Sequence, residues 1–212
     1  MYLPPIFAEG DVATIHAAIR ACRLANLVTM GRQGLVANPV PMLLEAEPQP
    51  YGTLIGHLAI ANPQAADHLP EHEALAIFMG PDAYVSPSLY KTKQETGKVV
   101  PTWNYVTIQA HGKLEFFRDA APLLDLVTRL TDRHEAGRPH PWKVADAPAD
   151  FIQGQLKGII GFRLTITRLE GKWKMSQNRP PADRQGVADG LAAADDAMTR
   201  EVGALVKARN GL

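Results

Sequence analysis

Residues 100 to 117 read VPTWNYVTIQAHGKLEFF, and the alternation within them decides the fold. Val106, Ile108, Ala110, Leu114 and Phe116 recur every second residue, the signature of a long strand with one face in a core. Thr102 and Asn104 have the same parity, so they point the same way, at the end of the strand where the core runs out. A hydroxyl or an amide left unpaired there costs on the order of 1–3 kcal/mol, so these two side chains require partners. A flat, polar ligand satisfies them. Trp103 and Tyr105 fall on the opposite face, where packing against a helix or a second subunit is their expected use.

Working outward, Asp11 reads as the N-cap of a helix whose apolar face is Ile15, Ala18, Ile19 and Cys22. LVTM, the GRQG turn and PVPMLLE read as paired strands, with Pro39 and Pro41 confining the second to an edge or a bulge. TLIGHL is a third strand and ALAIFMG a fourth. Between them Asn62 and Pro63 open a short helix as N-cap and first helical residue. AYVSPSLYKTKQETGK reads as a polar crossing into the long strand. A helix carrying Leu123, Leu124, Val127 and Leu130 follows, then a short one over residues 148 to 157. IIGFRLTITRLEGKWKMS is expected to be a strand pair turning at Glu170, Gly171 and Lys172. Val187, Leu191, Ala194, Met198, Val202 and Leu205 form a helical stripe with Gly190 as its candidate interruption, left exposed for a partner. The expectation is an α+β chain: a mostly antiparallel β core of about six strands, helices outside, residues 1–180 as one domain and 181–212 as a helical segment packed on it.

Composition narrows function. The 22 basic and 22 acidic residues cancel, so no global field draws the 212-residue chain to nucleic acid or an anionic membrane. One cysteine, no cationic leader and no long apolar run point to a cytoplasmic protein without disulfides. His68 and His72 are separated by Pro70, and His134-Glu135 does not extend into HExxH, so no metal site is expected. GxSxG, Walker A and GxGxxG patterns are all missing.

Three stretches are left that can meet a ligand. His57 and Asn62 flank a helix start, where free amides and a partial positive charge suit a phosphate. TWNY is the second. GKWKMSQNRP, dense in donors, suits an anion or a nucleotide, and SPSLYKTK with Lys93 is a weaker version of it.

MYLPPIF, GHLAIANPQ, FMGPDAYVSPSLY, VPTWNYVTIQAHG, GIIGF and EGKWKMSQNRP occur in this order, and the chain thereby resembles the PaiB-like family of bacterial FMN-binding negative transcriptional regulators. The resemblance implies a flavin-binding split barrel, similar to pyridoxamine phosphate oxidase, working as a homodimer with FMN at the subunit interface. AIANPQA lacks the Arg-Lys pair that those oxidases use for the FMN phosphate. The implied cofactor residues are therefore His57, Asn62, Lys93 or Arg179 for the phosphate, and Thr102, Trp103 and Asn104 for the ring and ribityl chain, with Gln177 and Arg179 of SQNRP at the active-site end. DNA binding is implied by the resemblance alone. An FMN-dependent oxidoreductase, or a barrel surviving as an interaction module, are the alternatives.

Overall fold

The hairpin at residues 25–40 shows how the local chemistry is resolved in the computed structural model, which describes residues 1–212. Seven residues pair antiparallel with seven, from Ala25↔Val40 to Gly31↔Gly34, leaving Arg32 and Gln33 as the turn. Pro39 lies in the outer strand, at the end of the sheet order, where its missing N–H breaks no ladder.

The elements in order are β1 (Ala8–Glu9), α1 (Val12–Ala21), β2 (Ala25–Gly31), β3 (Gly34–Val40), β4 (Leu43–Glu45), β5 (Thr53–Ala59), α2 (Pro63–Asp67) and β6 (Ala74–Val85). They continue with α3 (Lys91–Thr96), β7 (Thr102–Phe117), α4 (Ala120–Glu135), α5 (Ala149–Leu156), β8 (Ile159–Lys174), α6 (Pro181–Ala192) and α7 (Ala197–Asn210). The antiparallel sheet runs β3-β2-β6-β7-β8-β5-β4, with β1 also on β8, and does not close. This is the α+β split barrel expected, built from eight strands rather than six: the two-residue β1 carries no periodicity to read, and the single strand expected over PVPMLLE divides into β3 and β4 at opposite ends of the sheet order.

The chain divides into two compact units, one of residues 1–15, 79–108 and 170–212, the other of residues 16–78 and 109–169. β6, β7 and β8 each pass from one unit into the other. In the second unit Leu43, Ile55, Leu126 and Leu130 form a core with Phe117 against it. In the first, α6 and α7 pack on each other.

Three further segments differ from the sequence reading. β6 continues through Pro81 to Val85 where a polar crossing was expected. Its buried positions shift phase, from Ala74, Ala76 and Phe78 to Ala83 and Val85, as when an extra residue is absorbed at Gly80-Pro81. A Cβ on Gly80 would stand 2.8 Å from Val106 Cβ, so the strand also comes close to β7 there. The rest of that crossing holds α3, which runs to a left-handed Gly97. Second, β8 is one continuous strand, with no turn at Glu170–Lys172. Gly171 serves close packing: its Cβ would lie 2.9 Å from both Ile15 and Trp173. Third, the C-terminal stripe is two helices broken at residues 193–196, where Asp196 caps α7 through the Thr199 amide at 2.7 Å. Gly190 stays inside α6, its Cβ position 2.4 Å from Leu89. Val187, Leu191 and Val202 are buried, so half of the stripe is spent inside the chain, while Met198 is 49% exposed.

Candidate functional site

The sequence candidates fall into both units. His57 and Asn62 belong to the second unit; Lys93, Thr102, Trp103, Asn104, Gln177 and Arg179 belong to the first.

In the second unit, His57 lies on β5 opposite Gly161 of β8, on the same strand face as the core residue Ile55. The ring is half-buried and its Nδ1 has no hydrogen-bond partner. Burial pushes the imidazole below its ordinary pKa, so the neutral ring is favoured, able to donate through one nitrogen and accept through the other. Asn62 accepts from the Gln64 amide at 3.0 Å and so caps α2 as the sequence predicts. Gln64 itself is buried and ties three strand positions together, bonding Leu27 O at 2.9 Å, Thr29 Oγ1 at 3.1 Å and Val36 O at 3.4 Å. No cation lies within residues 58–66. This corner can meet a hydroxyl or a phosphate oxygen, but it supplies no charge to balance a phosphate.

In the first unit the polar head of β7 meets the end of β8. Lys174 Nζ donates to Thr102 Oγ1 and to the Trp103 carbonyl. Asn104 is fully buried; its Nδ2 donates to Ser176 Oγ at 2.9 Å, and that hydroxyl lies 3.3 Å from Asn104 Oδ1. Asn104 is therefore not a ligand-facing lip, which corrects the sequence reading: the pairing partner lay 72 residues away, beyond the reach of local pattern. Ser176 has φ 62°, a left-handed conformation uncommon outside glycine. Gln177 holds that kink, its Oε1 accepting from the Met175 amide at 2.6 Å and its Nε2 donating to the Trp173 carbonyl at 2.7 Å. Gln177 thus shapes the strand end, with both ends of its amide already engaged.

Replacing Asn104 by alanine leaves the Ser176 hydroxyl buried and alone at a strained residue. The expected cost is about 2 kcal/mol, read as a lower urea midpoint at unchanged slope. A midpoint equal to wild type would show that the pair does not hold the kink.

Trp103 is 53% exposed and meets Tyr84, 50% exposed, edge to face at 5.8 Å between centroids. Lys93 is exposed on α3. Arg179 rests over the Tyr90 ring, 4.7 Å from its centroid. Tyr90 is buried with a hydroxyl lacking a partner of hydrogen-bonding geometry; burial raises its pKa, and the nearby guanidinium pulls it back.

Two lysines of the GKWKMSQNRP stretch, not among the implied cofactor residues, complete the group. Lys172 and Lys174 flank the buried Trp173 and share one strand face, and Lys174 is pushed below the usual lysine range by burial, then by the charges of Lys172 and Arg179. The signal was present in the sequence as KWK: alternation puts two ammonium groups side by side.

Each unit, taken by itself, offers groups of a kind that flavin mononucleotide can meet. The second unit offers a neutral imidazole suited to a hydroxyl or a phosphate oxygen, and the first offers cations suited to a phosphate.

Residues 1–168 match the family model described as "Putative FMN-binding domain". An uncharacterised protein of Aspergillus fumigatus is 34% identical, with 100% of this chain and 98% of the relative covered. The Bacillus subtilis protease synthase and sporulation protein PAI 2 is 26% identical over 98% of this chain and 97% of that one. In fold, the chain superposes on the FAD and haem binding protein of Mycobacterium smegmatis with a TM-score of 0.60, covering 86% of this chain and 80% of that one at 17% identity.

Proposed function

From the premise that this chain belongs to the FMN-binding domain family matched over residues 1–168, we propose that it is an FMN-binding split-barrel regulator of transcription acting as a homodimer. The observation that carries the flavin reading is His57. A half-buried ring nitrogen without a partner costs about 1–3 kcal/mol until something bonds it, and a ribityl hydroxyl or a phosphate oxygen supplies that bond. FMN, when bound, provides redox chemistry of its own; the protein binds and orients it. Thr102, Trp103, Lys93 and Arg179 remain our assigned contacts in the first unit, while Asn104 and Gln177 act by shaping the backbone there.

Regulation is supported by whole-length likeness to a bacterial protein named for protease synthesis and sporulation. A second copy is supported by apolar surface in the first unit: Met79, Tyr84, Val100 and Trp103 are each half exposed or more.

Titration with FMN, followed by quenching of flavin fluorescence, is expected to saturate at one flavin per chain. His57→Phe should weaken binding by about fivefold to a hundredfold. Unquenched flavin at high protein concentration refutes the proposal. DNA contact is checked by a mobility shift that weakens as salt rises, and steady consumption of NAD(P)H by the FMN-loaded protein would instead make it an oxidoreductase.

A further inference from the structure

Acidic and basic residues balance over the whole sequence, 22 against 22, yet residues 171–182 hold a group of cations with no carboxylate among them. Lys172, Lys174 and Arg179 are that group. Lys172 is 7% exposed, yet its ammonium meets only the Tyr2 carbonyl at 3.1 Å and the faces of Tyr2 and Tyr105, 5.5 and 5.3 Å from the ring centroids. Removing an ammonium from water without a counter-charge is unfavourable, and aromatic faces offset only part of it. Lys174 uses two of its three N–H bonds on Thr102 and Trp103. Its charge is further disfavoured by Lys172 and Arg179, so the three groups repel one another as they stand.

Three acids of the same unit are engaged with other partners. Glu170 meets the N-terminus at 2.9 Å, Glu9 pairs with Arg209, and Asp183 accepts from the Thr92 amide and hydroxyl at 2.9 Å each. An external anion would neutralise the group.

We propose that Lys172, Lys174 and Arg179 form a receptor for a dianionic phosphate ester. Three cations exceed what one carboxylate balances, and a phosphate offers three acceptor oxygens to an arginine fork and two lysine donors. Thr102 adds a hydroxyl whose proton is free to donate, since its oxygen is what accepts from Lys174. The phosphate has two sources. It is the coenzyme's own, in which case the assignment rests on the flavin reading, or it belongs to a separate phosphorylated metabolite.

The test compares wild type with Lys174→Met, which keeps length and loses charge, and with Arg179→Gln as a second variant. Two readouts are needed: dissociation constants for FMN and for riboflavin, and the thermal midpoint with inorganic phosphate against chloride at equal ionic strength. If the coenzyme's phosphate occupies the group, each variant lowers the preference for FMN over riboflavin by about tenfold to a hundredfold while riboflavin affinity holds. If a separate metabolite does, that preference is unchanged, but phosphate raises the midpoint of wild type and not of the variants. The proposal is overturned when the FMN preference and the phosphate response are alike in all three proteins. Should flavins fail to bind while phosphate still stabilises wild type alone, the receptor stands and the flavin reading falls.

Discussion

Arg133→Met is expected to lower stability by about 3 kcal/mol and the thermal midpoint by roughly 6–12 °C, the larger effect among the cationic side chains of the second unit. The guanidinium leaves α4 and donates to three carbonyls: Met42 at 2.9 Å, Cys22 at 3.0 Å, and Arg20. Arg20 and Cys22 end α1, where the helix leaves its last carbonyls without partners and presents the negative end of its dipole. Met42 introduces β4. One side chain therefore fastens the end of a helix and the start of a strand to a second helix, and its loss removes the donor to two part-buried carbonyls, Met42 and Cys22, as well as to the exposed Arg20 carbonyl.

Arg129, one turn earlier on α4, makes a useful contrast. It pairs with Glu45 at 2.7 Å and Asp125 at 3.2 Å, but its side chain is 40% exposed, so water replaces the lost bonds. Arg129→Met is expected to cost no more than about 1 kcal/mol. Urea unfolding of both variants checks the ranking. Equal losses would mean that the three carbonyls are rehydrated when Arg133 is removed.

Gly112→Ala is the second large effect. A Cβ at Gly112 would lie 2.0 Å from the Thr165 carbonyl oxygen and 2.9 Å from Leu164 Cδ2. The nearest atom is backbone of the adjacent strand, so no rotamer change relieves the clash; β7 and β8 must separate and give up ladder hydrogen bonds. A loss of at least about 3 kcal/mol follows, seen as insoluble expression or a collapsed midpoint. Gly154 on α5 has nothing within 4 Å of its Cβ position. There alanine should stabilise by roughly 0.5–1 kcal/mol, because only the helix preference changes. If both substitutions behaved alike, the close approach of β8 to Gly112 would be wrong.

What was legible in the sequence was local. The period-two run through Val106, Ile108, Ala110 and Leu114 gave the inward face of β7, and all four are buried. Asp11 and Asn62 were readable as caps because a capping bond spans two or three residues; Asp11 accepts from the Thr14 amide at 3.0 Å. Pro39 marked an edge strand for an equally short-range reason. Gly171 and Gly190 misled, since a glycine signals either a turn or a close neighbour, and only the packed structure says which.

By itself the sequence determined the faces of the strands, the helix starts and the inventory of donors and acceptors. The tertiary structure alone decided which of those groups are already spent and which are not. Asn104 and Ser176, 72 positions apart, satisfy each other, whereas Lys174 is held against the like charges of Lys172 and Arg179. Residue type fixes what a side chain can bond, but whether it has a partner depends on distances set by segments far apart along the chain.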